Sequence, residues 1–183
     1  MSEGIENKVD KSGLVTIDLG EYAPDKSLMT FDIKDWLYQG LILRENDFKE
    51  AVKQHDWSQH EGALVTVYCS NDAIIPVWAF MTIASKLTPY AEKVYFGNEE
   101  AALNQVFREN LDHHIDPETY RDGKIVIKGC GDKTIPNGAF VHLTNKLQPY
   151  VKSIMYGEPC STVPVYKQPR TKRSANKTAS SKT

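Results

Sequence analysis

Cysteine is scarce: three in 183 residues, and no two of them in a C-x-x-C spacing. That excludes the disulfide framework of a small secreted domain and withholds the spacing that marks a zinc ribbon or a thioredoxin-like pair. Long apolar runs are missing too, since none approaches the roughly 20 residues that span a bilayer. The first stretch, "MSEGIENKVDKSG", is polar and acidic, so no signal peptide is expected. No G-x-x-x-x-G-K-[ST] loop and no complete catalytic motif is present. These absences point to a cytoplasmic chain whose thiols are free, metal-bound or redox-active, and they leave open whether any reaction is catalysed.

The last stretch, "KQPRTKRSANKTASSKT" (167–183), lacks acids and also lacks Leu, Ile, Val, Phe, Tyr and Trp. It cannot bury apolar surface to offset its ordering entropy, so a disordered basic tail is expected. Because the tail holds six Lys or Arg, residues 1–166 carry a net charge of −8 against −2 for the whole chain. The plainer reading of the tail is a solvated extension, and nucleic acid is not an expected partner. With residues 1–12 expected to be flexible, residues 13–166 form a single domain, long enough for one sizeable core.

That domain contains an internal repeat. Residues 65–97 align with 125–157 without a gap, and ten of the thirty-three positions are identical, among them Pro76/Pro136, Phe80/Phe140, Leu87/Leu147 and Pro89/Pro149. Chance would give roughly two. Each copy reads as a short β-branched strand ("ALVTVYC", "KIVIKG"), a helix between two prolines, and a second strand ("KVYFG", "SIMYG"). A strand, a crossover helix and a strand make a βαβ unit with parallel strands. "NEEAALNQVFRENLDHH" supplies an amphipathic linking helix, and "GLVTIDL" a further strand. "FDIKDWLYQGLIL" and "ENDFKEAVKQH" read as two helices or a strand–helix mixture split near Gly40. The expected fold is α/β, a mostly parallel sheet of about five strands with helices on both faces. Phe80, Ile83 and Leu87, with Phe140, Leu143 and Leu147, are expected to form the helical stripe on that sheet.

In parallel α/β sheets, sites form outside the carboxyl ends of the strands. Cys69 ends its strand, Cys130 lies just past the matching one, and Cys160 follows the last strand in "YGEPCSTVP". All three are therefore expected on one sheet edge, where helix N-termini would lower a thiol pKa. Converging thiolates suit iron, zinc or an iron–sulfur cluster, with Asp72 and Asp132 as supporting residues. Buried small hydrophobes are the bland account of the same cysteines. The alternative functional reading uses "KGCGDK": Gly129 and Gly131 with Lys128 and Lys133 could cradle an anion or nucleotide, beside a reactive cysteine.

The remaining polar features read as structural. His113 and His114, adjacent on a helix, point apart. His55 and His60 flank Trp57 in a stretch expected to pack over the core, and Trp36 and Trp78 are expected to pack as well. Open sheet edges favour a homodimer and no membrane partner.

"FDIKDWLYQGLILRENDF", "HDWSQ", "IKGC" and "SIMYGEPCSTVPVYK" together resemble a bacterial family known as domain of unknown function 2480, over residues of about Gly13 to Lys167. The resemblance implies cysteines matching Cys69, Cys130 and Cys160, genes beside those of sulfur-mobilising iron–sulfur cluster assembly, and iron–sulfur assembly proteins as partners. It implies no activity.

Overall fold

β-branched runs become strands and proline-bounded stretches become helices. A computed structural model describes residues 13–129, 131–158 and 160–169. Its strands are β1 (Leu14–Asp18), β2 (Leu28–Asp32), β3 (Leu64–Tyr68), β4 (Lys93–Phe96), β5 (Lys124–Lys128), β6 (Ser153–Glu158) and β7 (Ser161–Lys167). Its helices are α1 (Glu45–Gln54), α2 (Val77–Leu87), α3 (Glu99–His114) and α4 (Asn137–Leu147). α2 and α4 each begin directly after a proline, Pro76 and Pro136, held at φ −61° and −72°. Both stop two residues before the next proline; Thr88 and Gln148 still hold helical angles, and the proline after each has no N–H to continue the ladder. None of the described helices is long and apolar enough to cross a membrane.

The fold is α/β, but the strands form two sheets and not the expected single sheet of about five. One has the order β2-β3-β4, all parallel; the other has β1-β5-β6 parallel with β7 antiparallel at its edge. The reason lies in the first two strands. β1 crosses to pair with β5 in the register Leu14↔Lys124 to Asp18↔Lys128, while β2 pairs with β3 from Leu28↔Leu64 to Asp32↔Tyr68. Each βαβ unit thereby gains its own third strand and closes its own core. β7 follows what the sequence reads as the last strand, and only its Lys167 falls in the expected tail. It bears Pro164, tolerated because the strand is outermost and the pairing shifts register there.

Ala79, Ile83 and Leu87 fill one core with Phe31, Val65 and Val67. Ala139, Leu143 and Leu147 fill the other with Ile17, Ile125 and Ile127. Phe80 and Phe140, expected on these stripes, are half-buried at the rim instead, edge-on to Phe96 and Tyr156. α3 serves both sheets. Phe107 and Leu111 enter the second core, while Ala102 and Val106 pack on Leu64 and Tyr95 of the first sheet. Asp112 of α3 also accepts from Lys146 of α4 at 3.0 Å and lies 2.8 Å from His142 Nε2.

Candidate functional site at the strand carboxyl ends

β1 and β2 share the pattern Leu-x-Thr-x-Asp, and both aspartates cap a 3-10 turn at the carboxyl end of their strand. Asp18 accepts from the Gly20 N–H at 2.9 Å, and Asp32 from the Lys34 N–H at 3.0 Å. Their second partners differ. Asp32 takes both the N–H and the hydroxyl of Ser70, at 3.0 and 2.5 Å. Burial pushes the Asp32 carboxyl up, but the bonds from Ser70 and Lys34 outweigh it and hold it below its usual value. Asp18 instead pairs with Lys128 at 3.2 Å, and Glu158 reaches the same ammonium at 3.8 Å.

The expected site residues divide between these two ends. Cys69 directly follows β3 in the three-stranded sheet, half-buried, with its Sγ 3.5 Å from the Asn71 carbonyl it donates to. Cys160 is an exposed free thiol in the β6–β7 turn of the four-stranded sheet. One shared sheet edge is therefore ruled out for these two, because β3 and β6 belong to different sheets. Cys130 lies outside the described residues. Nor does a helix begin beside Cys69: α2 starts eight positions later, beyond the first-turn reach of a helix dipole. Among the described residues, no three of His, Cys, Asp and Glu are grouped to hold a metal ion. Asp72 and Asp132 are exposed.

Lys128 is engaged by Asp18 and Glu158, and Lys133 reaches the Gly20 carbonyl at 3.3 Å. The open depression there, about 410 Å³, is lined by Asp18, Glu21 and Asp132 as well as Lys133, which disfavours an anion. Gly129 is fixed by space: a Cβ on it would come within 2.7 Å of the Phe140 ring and 2.8 Å of Ile135. Gly131 has φ +141°, a backbone that favours glycine.

A family model described as protein of unknown function (DUF2480) matches residues 3–168, from ahead of β1 to just past β7. The chain belongs to the DUF2480 family. No curated protein and no solved structure matches it.

This DUF2480 protein has a second constellation, which sequence reasoning placed only as packing. His55 and His60 bring their Nε2 atoms to 3.2 Å, with ring centroids 5.5 Å apart and planes within 17°. The difference between those separations is what two rings meeting nitrogen to nitrogen along one line require. A metal ion between collinear nitrogens needs them about 4 Å apart, so the pair holds a proton instead. The Gln59 amide nitrogen donates to the Asp56 carbonyl at 2.9 Å and faces His55 Nε2 at 2.9 Å. One of the two Nε2 atoms carries the hydrogen and the other accepts it. Phe31, Trp36 and Trp57 surround the pair. A His at i and i+5 around a 3-10 turn was the only sequence signal. For Asp18 and Asp32 the signal was clearer, in the doubled Leu-x-Thr-x-Asp.

Proposed function

We propose that this chain is a non-catalytic accessory protein of the cytoplasm that binds a soft metal ion or an iron–sulfur cluster through its thiols, in association with iron–sulfur assembly proteins. Cys130 and Cys160, which follow β5 and β6 in the chain, are its ligands, and Cys69, at the end of the other sheet, stands apart from them. One observation carries the reading. At the strand ends Asp18, Asp32 and Lys128 are engaged in caps and ion pairs, while Cys160 is exposed and free. Soft thiolates select zinc, copper(I) and iron–sulfur clusters. Because the described residues do not group three ligands, a partner protein completes the set.

The two βαβ units are, on this reading, copies of one unit. Matching bonds support it: Gly62 N–H to Tyr90 O and Asp122 N–H to Tyr150 O, both 2.9 Å, then Glu92 N–H to Ala63 O and Lys152 N–H to Gly123 O, at 2.9 and 2.8 Å. Only the second copy has Cys130, opposite Ser70 in the gapless alignment.

Anaerobic purification with metal and acid-labile sulfide analysis tests the proposal. Wild type should retain metal, and Cys130→Ser and Cys160→Ser should lose it while the metal-free melting temperature stays put. Metal-free wild type in every anaerobic preparation would overturn it.

A further inference from the structure

β4 is the outer strand of the three-stranded sheet, and beside it runs a groove of about 540 Å³. Val67 and Val94 line it from the sheet, Phe80 and Met81 from α2, and Phe96 from the strand end. Phe96 is 62% exposed and Met81 66%. The other unit has a counterpart groove of about 450 Å³ between α4 and β6, but there β7 runs along β6 and Val165 lines the opening. In that antiparallel pair Tyr156 lies across from Val163, and Ile154 from Tyr166. β7 carries Pro164 and so terminates its sheet, whereas β4 has no proline.

We infer that a second copy of this chain covers β4, by antiparallel β4–β4 pairing about a twofold axis at Tyr95. That register sets Val94 of each copy across from Phe96 of the other. These are the same β-branched–aromatic matches that β7 makes on β6, and such cross-strand pairs stabilise antiparallel sheets. Lys93 falls across from Gly97, so no like charges are opposed. The contact is isologous and closes at two copies, joining two three-stranded sheets into one of six. It depends on no thiol, so it stands or falls apart from metal binding.

Light scattering of the full chain at tens of micromolar should give twice 20.7 kDa. Phe96→Lys, at an exposed position, should give the monomer mass with unchanged circular dichroism, and Met81→Lys should weaken the dimer. Amide hydrogen exchange over residues 93–97 should slow with concentration in wild type only. A monomeric wild type would overturn the inference, as would a dimer indifferent to Phe96→Lys. A wild-type monomer that takes up a synthetic 161–167 peptide at β4 would assign the edge to an extended peptide and overturn the dimer too.

Discussion

His55 and His60 face each other Nε2 to Nε2 across 3.2 Å, and that gap has room for one hydrogen. Nδ1 of His60 is buried with no hydrogen-bond partner among the described residues. Burial holds both imidazoles below their ordinary value; Asp56 pulls the other way, and on His60 the neighbouring His55 adds to the lowering. The unfolded chain therefore binds more protons than the folded one just below the ordinary histidine pKa of about 6.5. Stability should be full above that pH and decline as the pH falls through it. Melting temperature measured from pH 8 to pH 5 should show the decline, and His60→Phe, apolar like the rings around it, should flatten it. An unaltered slope in His60→Phe would remove the pair from the account.

Leu143 is fully buried, whereas Phe140 is half-exposed at the groove beside β6. Leu143→Ala should cost about 2–5 kcal/mol in urea unfolding, and Phe140→Ala should cost less. The reverse order would mean that the rim aromatics carry the core.

Gly138 of α4 lies against α3, and a Cβ there would overlap Asn104 Oδ1. Gly138→Ala should lower stability by about 1–3 kcal/mol through overpacking. Adding Asn104→Ala should restore part of that loss, a coupling that a double-mutant cycle reads directly.

Asp32 joins β2 to the segment after β3 through Ser70. Removing this cap with Asp32→Ala should cost about 0.5–2 kcal/mol. Its carboxyl is held low in the fold, so its contribution is present above the unfolded value of about 3.9 and is lost as pH falls below that. Acid unfolding of Asp32→Asn should accordingly show a shallower limb than wild type.

Local patterns settled much of this molecule. The β-branched runs of β3 and β5, the proline brackets of α2 and α4, and the spacing of Ile83 with Leu87 each depend on neighbours within a few residues, so the chain itself fixed where strands and helices lie. Which strands share a sheet depends on contacts more than a hundred residues apart. Leu14 meeting Lys124 has no local signature, and that pairing splits the expected sheet in two. With it, Cys69 and Cys160 part company, because a strand end's address is set by its pairing partner and not by its sequence. His55 and His60, five residues apart, read from sequence only as flanks of a packed Trp57. The 3-10 turn at Trp57–His60, stacked through Trp57 on Phe31, brings the two nitrogens face to face.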